Sequence, residues 1–169
     1  MITNNCKTFE IIEYSSKYDE QIKDLLVELQ NYLIDVDDWH TQVLLDNYRE
    51  DIFKMDMKKV QNQSGKVYLA KCENDIIGLI IGTVAKTDEI DKLTNDCAKT
   101  GEVLELIVKN NIRGNGVGKL LLNKVETYFK DIGCSRINIE VFGPNKKGLN
   151  FYTQNNYIVR DYIVSKKIK

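Results

Sequence analysis

Apolar side chains recur along this chain in two periods, and the switching between them lays out a series of elements. Thr8 to Tyr14 alternates and is rich in Phe and Ile, which predicts a strand. From Lys17 to about Ile34 the residues Ile22, Leu25, Leu26, Leu29 and Leu33 fall at helical spacing. A second helix is expected from about Thr41 to Val60, carrying Val43, Leu44, Tyr48, Ile52 and Phe53, with Met55 or Met57 alongside. Asn62 to Gly65 is turn-like. Lys66 to Cys72 and Ile76 to Ala85, separated by Glu73-Asn74-Asp75, predict a hairpin. Lys86 to Gly101 is polar and is expected as a surface loop. Then follow a strand over Glu102–Lys109, a helix over Val117–Ile132 ending at Gly133, and a strand over Ser135–Phe142. A short helix over Lys146–Gln154 and a last strand over Tyr157–Val164 complete the series.

The strand–helix–strand unit from 102 to 142 calls for parallel neighbours and a right-handed crossover, whereas the early hairpin calls for antiparallel ones. The fold class that reconciles them is α/β, a mixed sheet with helices on both faces. The 169 residues suit a single domain spanning 1–169. With 43% apolar residues the chain has enough aliphatic surface for a core, so extended disorder is excluded.

Charge narrows the classes further. The 24 basic and 25 acidic side chains leave a net charge of −1, which disfavours a nucleic-acid partner. No apolar run approaches the ~20 residues of a membrane span, so no membrane partner is expected. Met1 to Glu10 has no basic start followed by an apolar segment, so a cytoplasmic location is expected. Cys6, Cys72, Cys97 and Cys134 form no CxxC pair, and His40 is the one histidine. Four reduced thiols and no metal are the expectation.

The most informative stretch runs from Val103 to Lys119. A strand ends, glycines stand at 114, 116 and 118, and a helix begins at once. Helix N-termini present unpaired N–H groups at the positive end of the dipole, and glycines remove the Cβ atoms that would hold an anion away. With Arg113 and Lys119 adding positive charge, the turn is a candidate phosphate cradle. It is not a P-loop, because position 113 is Arg and position 120 is Leu. It is not the dinucleotide fingerprint either, because position 119 is Lys rather than Gly.

What stands there is R-x-x-G-x-G, Arg113 to Gly118, and it resembles the pyrophosphate-binding motif of the GNAT acetyltransferase superfamily. Pro144-Asn145 and Leu149 to Tyr157 are similar to that family's second signature, with Asn156-Tyr157 in place of its Gly-Phe pair. The specific match covers about residues 102 to 157. The resemblance implies a mostly antiparallel sheet in which one parallel pair, here 102–109 and 135–142, splays apart. It also implies acetyl-CoA as co-substrate. Its pantetheine arm would pair with the main chain of Leu106, Ile107 and Val108. Its pyrophosphate would sit on the N–H groups of Arg113, Gly114, Asn115, Gly116, Val117, Gly118 and Lys119. Asn145 and Tyr152 would line the other side.

The reaction so implied is attack of an amine on a thioester. An alkylamine with a pKa of about 10 must first lose a proton. Glu105, between Leu104 and Leu106 in an apolar strand, is the candidate base, directly or through water, with Glu102 the runner-up. A salt-bridged carboxylate at a strand end is the other reading of Glu105. A main-chain N–H of the same strand could stabilise the oxyanion. Tyr152 matches the tyrosine that protonates the leaving thiolate in many members, and could otherwise be a packing aromatic. For the acceptor amine the candidates are Tyr32, Asp35, Asp37 and Trp39, an acidic and aromatic group between the first two helices. Asp37 or Asp38 could instead cap the second helix. A homodimer is a further expectation, since members of this family often dimerise. The competing function is a non-catalytic acyl-CoA-binding or regulatory domain on the same fold.

Overall fold

The computed structural model describes residues 8–168 apart from 88, 95 and 97, and leaves the side chain of residue 91 undescribed. Strand β1 (Glu10–Glu13) leads through a 3-10 turn at Ser16–Tyr18 into helix α1 (Asp19–Asp35) and helix α2 (Tyr48–Asn62). Strands β2 (Lys66–Cys72) and β3 (Asp75–Val84) form the expected hairpin. A short helix α3 (Glu89–Thr94) precedes strand β4 (Thr100–Val108). Helix α4 (Val117–Asp131), strand β5 (Arg136–Ile139) and helix α5 (Lys146–Gln154) follow. The five strands lie in the order β1-β2-β3-β4-β5, antiparallel except for the parallel pair β4–β5.

β3 is central and covered on both faces, which accounts for its nearly unbroken apolar run Ile76 to Ile81. On one face α4 lays Val117, Leu121, Leu122, Val125 and Phe129 against Tyr68, Ala70, Ile80 and Val103. A Cβ on Gly82 or Gly101 would come within 2.7 Å of the Phe129 ring, so those two glycines let α4 settle close to the sheet. On the other face Ile22, Leu25 and Leu26 of α1 and Phe53 of α2 cover Val67, Leu69, Ile76, Leu79, Ile81 and Ile107.

Three sequence expectations are corrected. The second helix starts at Tyr48 rather than Thr41, because the chain before it is bonded elsewhere. The amides of Thr41 and Gln42 donate to Asp37, and the carbonyl of Val43 accepts from the buried Gln30 side chain at 2.8 Å. The stretch 157–164 alternates like a strand but has no strand beside it among the described residues, and Ile158, Tyr162, Ile163 and Val164 are exposed. Cys72 is disulfide-bonded while Cys134 is free, and Cys6 and Cys97 lie outside the described residues. Among the described residues no helix is long and apolar enough to cross a membrane.

Two irregularities of β4 position everything that follows. Ile81 stands opposite Glu105 and Gly82 opposite Val103, so Leu104 is an extra residue, a β-bulge. Residues opposite one another in an antiparallel pair share a face, so the bulge turns Glu105 to the α1–α2 side together with Leu104. The second irregularity is on the other edge. β4 pairs with β5 only from Thr100↔Arg136 to Val103↔Ile139, and continues to Val108 without it.

Candidate functional site

Beyond Val103 the backbone of β4 has a neighbour on one side only. The amide of Lys109 donates to Ile77 O at 2.9 Å, on the β3 side. Main-chain groups alternate direction along a strand, so Ile107 also faces β3 while Leu106 and Val108 present their N–H and C=O to the open side. There the Val108 carbonyl accepts from Arg113 Nε at 2.9 Å. An edge of this kind offers donors and acceptors to an extended, amide-containing ligand.

That edge runs directly into the glycine turn. Gly114 and Gly116 have φ of 87° and 80°, values that a Cβ disfavours, and a Cβ at either would meet nothing within 4 Å. Gly116 is the N-cap of α4 and supplies no side chain to it. The first turn of α4 contains no acidic residue, and the amides of Val117, Gly118 and Lys119 are those that an α-helix leaves without internal partners. Val117 itself is buried in the core, so only its amide is available, whereas Arg113 and Lys119 are exposed. A positive dipole end with bare amides and two flanking cations is an anion site in chemical terms.

The third wall is the start of α5. Asn145 caps it, accepting the Gly148 amide at 2.8 Å, and also accepts from the Tyr32 hydroxyl at 3.1 Å. The Arg113 guanidinium lies 5.1 Å from the centre of the Tyr32 ring. Tyr32, which the sequence associates with an acceptor, is thereby joined to Arg113 and Asn145 on the glycine-turn side. Tyr152 stacks edge-on with Phe151 and Tyr157, at 5.2 and 5.7 Å between ring centres. Burial, and then the charge of Glu105, push its hydroxyl well above the usual tyrosine range, so it holds its proton.

Glu105 is half-buried. Desolvation, reinforced by Asp56 and opposed by Lys59, raises its carboxyl to about 8. Tyr152 packs on the α4 side of the sheet and Glu105 faces the α1–α2 side, yet Tyr152 feels the charge of Glu105. At Glu105 no residue of β5 is paired with β4, so no strand stands between the two sides there. Glu102, by contrast, stands inside the paired part of β4 opposite Asn138.

Two further groups surround Glu105 that the sequence reading passes over. Asp56 of α2 is 3% exposed, and no N–H or O–H of the described residues donates to its Oδ2. Burial raises its carboxyl to about 6, with Lys59 pulling the other way. Tyr48 at the start of α2 is pushed up to about 12 by burial and then by the charges of Glu105 and Asp56. It also lines an open cleft of about 460 Å³ between α2 and the 41–47 loop, walled by Val43, Leu45, Ile52 and Met55. The available signal was Asp56's place at helical spacing between Phe53 and Val60, in an otherwise apolar stripe.

The remaining acceptor candidates separate. Asp37 is 3% exposed, and its carboxylate accepts from the amides of Trp39, Thr41 and Gln42 and from the Thr41 hydroxyl. Burial opposes its ionisation, but those bonds outweigh it and hold the carboxyl down at about 2. The assignment of Asp37 to an acceptor is corrected: it organises the 37–42 turn. Asp35 is exposed at the end of α1, and Trp39 is 43% exposed with Lys167 Nζ 5.2 Å from its ring centre.

Comparison with known proteins adds a family and a fold. A family model described as the acetyltransferase (GNAT) family matches residues 28–157. The acetyltransferase PseH of Campylobacter jejuni is 30% identical over 107 residues, 62% of this chain and 59% of that one. An uncharacterised N-acetyltransferase of Methanocaldococcus jannaschii is 29% identical over 53% of this chain and 51% of its own. The matched stretch thus spans only half to three-fifths of the curated relatives' length. Among solved structures, a mutant of the BH1408 protein from Bacillus halodurans has a TM-score of 0.76 at 18% identity, covering 95% of this chain and 99% of that one. AAC(6')-Iy, solved with the bisubstrate analogue CoA-S-monomethyl-acetylneamine, has a TM-score of 0.67 at 13% identity, covering 96% and 99%. At these identities the likeness is one of fold.

The role of Asp37 can be measured. Asp37→Asn keeps the shape but removes a charged acceptor from three amides, so its Tm should fall at neutral pH. Because the folded carboxyl is held below its ordinary 3.8, at about 2, the wild-type advantage should be full above 3.8. It should shrink as the pH drops and vanish once the pH passes about 2. Equal thermal stability of variant and wild type at pH 7 would contradict the assignment.

Proposed function

The chain belongs to the acetyltransferase (GNAT) family, and on that footing we propose that it moves the acetyl group of acetyl-CoA onto a primary amine. One observation supports this most: the open edge of β4 leads without interruption into the bare, left-handed N-cap of α4. An amide-rich arm carrying a pyrophosphate needs those two features in that order. The main chain of Leu106 and Val108 meets the arm, and the amides of Val117, Gly118 and Lys119, flanked by Arg113, meet the pyrophosphate. Gly114, Asn115 and Gly116 let it approach closely. Asn145 and Tyr32 close the site from α5 and α1. Ile107, facing β3, contributes through its packing.

In the chemical step Glu105 takes a proton from the ammonium, and the nitrogen lone pair attacks the thioester carbon. The C–N bond forms and the C–S bond breaks. The Tyr152 hydroxyl gives its proton to the departing sulfur, and the second proton that the nitrogen sheds as the amide forms returns to the tyrosinate through solvent. An N–H on the open side of β4 steadies charge on the carbonyl oxygen. A base near 8 suits this work, because it lies between neutral pH and the pKa of about 10 of a free alkylamine. Asp35 and Trp39, exposed between α1 and the 41–47 loop, are open to the body of an acceptor arriving there.

Two variants test the reading. Asparagine tolerates the left-handed conformation, so Gly116→Asn should fold while filling the space over the helix end. Its acetyl-CoA Kd, measured by calorimetry, should rise at least about tenfold, with the Tm of the free protein little changed. An unchanged Kd would place the pyrophosphate elsewhere. Separately, wild type and Glu105→Gln should be assayed for thiol release against n-butylamine, 1,4-diaminobutane, glucosamine and an unblocked peptide. The wild-type kcat/KM should rise with pH to a plateau above about 8, since the base works only when deprotonated. In Glu105→Gln that limb should disappear and kcat should fall by roughly 10²- to 10³-fold. Thiol release from none of these amines would favour an acyl-CoA-binding role without catalysis.

A further inference from the structure

Asp56 has no structural explanation within its own fold. It is 3% exposed on the sheet-facing side of α2, and its Oδ2 receives no hydrogen bond from the described residues. A buried ionisable oxygen without a partner is costly, and chains tolerate one mainly where a bound group completes it. Its surroundings are equally unusual. The bulge in β4 turns Glu105 toward α2, so two carboxylates share one apolar region. No cation of the described residues is paired with either: Lys59 is exposed and acts on both only at a distance. From α1 the facing residues are Ile22, Leu25, Leu26 and Leu29, none of them ionisable, and from β3 Leu79 and Ile81. Tyr48 and Tyr152 complete the ionisable groups around the pair.

Tyr48 stands between this pair and the nearest cleft. It lines the cleft between α2 and the 41–47 loop and feels the charges of both carboxylates. The cleft's apolar walls, Val43, Leu45, Ile52 and Met55, suit the carbon skeleton of a molecule whose charged end is directed inward.

We propose that Asp56 and Glu105 together form the binding site for the acceptor's protonated amine, which enters through the cleft past Tyr48, and that Asp56 selects acceptors that are cationic before reaction. This rests on the acetyltransferase reading and adds the substrate class to it. Asp56 accepts a hydrogen bond from the ammonium and holds it against Glu105. Glu105 then removes one proton, the neutral nitrogen attacks the thioester, and Asp56 remains bonded to an N–H of the nucleophile. The second proton leaves as the amide forms, replacing the one that Tyr152 gives the thiolate. Asp56 is a positioning residue: it orients the amine and tunes Glu105 without taking either proton that is lost. An amine already neutral at the working pH offers Asp56 a neutral N–H and no charge, and gains far less from it.

The test compares wild type with Asp56→Asn on those of the four amines named above that the wild type acetylates, and on aniline, which is uncharged at pH 7. The variant should raise KM for the alkylamines at least about tenfold, leave KM for acetyl-CoA within twofold, and leave any aniline activity within twofold. Removing the neighbouring negative charge should also move the limb of kcat/KM to lower pH, because Glu105 then ionises more readily. That shift follows from the charge of Asp56 whatever its role, whereas the KM split between the alkylamines and aniline is what a merely structural Asp56 would not produce. Should Asp56→Asn fail to fold, Asp56→Ser removes the charge with less bulk and serves the same comparison. Unchanged alkylamine KM in a folded variant, or an equal rise in KM for aniline, overturns the proposal and leaves the acetyltransferase reading standing. A wild type inactive on every amine overturns both.

Discussion

Strand β4 runs on past the end of its pairing with β5. From Thr100 to Val103 it is bonded on both sides, and from Leu104 to Val108 only β3 accompanies it. Backbone N–H and C=O groups left single-sided inside a sheet must be satisfied from outside the sheet, and this requirement organises the rest of the site. Part of it is met within the protein, where Arg113 Nε donates to the Val108 carbonyl. The remainder is an edge of defined length, which ends at a helix N-terminus that carries no cap side chain. Edge and helix end are features of the main chain, so the side chains that matter there are those that stay out of the way: the glycines at 114 and 116, with open space where a Cβ would be.

The same strand departs from regularity a second time, and the two departures have complementary effects. β5 pairs with β4 no further than Val103, and the bulge at Leu104 chooses which side chain of the unpaired part of β4 faces α2. Without the extra residue, Glu105 would follow Val103 onto the α4 face, and a leucine would meet α2. With it, an acidic side chain lies across from Asp56 and Tyr48 on one side, and is felt by Tyr152 on the other. Proton removal and proton donation are thus assigned to groups on opposite sides of one gap. Their environments push a carboxyl and a phenol in directions that suit those two tasks: Glu105 rises toward neutrality, and Tyr152 keeps its proton.

Much of this was legible in the chain, wherever a local rule and the tertiary structure agree. The strand–glycine turn–helix from Val103 to Lys119 is specified by backbone chemistry that glycine alone announces, and it stands where the spacing puts it. The hairpin β2–β3 and the amphipathic α4 follow the same logic. What was not legible depended on long-range partners. Thr41 to Asn47 has helical apolar spacing, but Asp37 and Gln30 bind its amides and a carbonyl, and α2 waits until Tyr48. Tyr157 to Val164 has the alternation of a strand, but alternation makes a strand only where a neighbour offers hydrogen bonds. Asp37, read as part of an acceptor surface or a helix cap, is the buried centre of a turn, while Asp56, which drew no reading, is buried on α2. The bulge that aims Glu105 has no local signature, because it is a property of the pairing between β3 and β4.

The account turns on the open edge of β4 being where acetyl-CoA is held, and amide hydrogen exchange followed by NMR, with and without acetyl-CoA, addresses that at single residues. The amides of Leu106 and Val108, together with those of Val117, Gly118 and Lys119, should exchange more slowly when acetyl-CoA is present. The amide of Ile107, which faces β3, should be unaffected. Protection confined to the cleft between α2 and the 41–47 loop, with Leu106 and Val108 unchanged, would contradict the account.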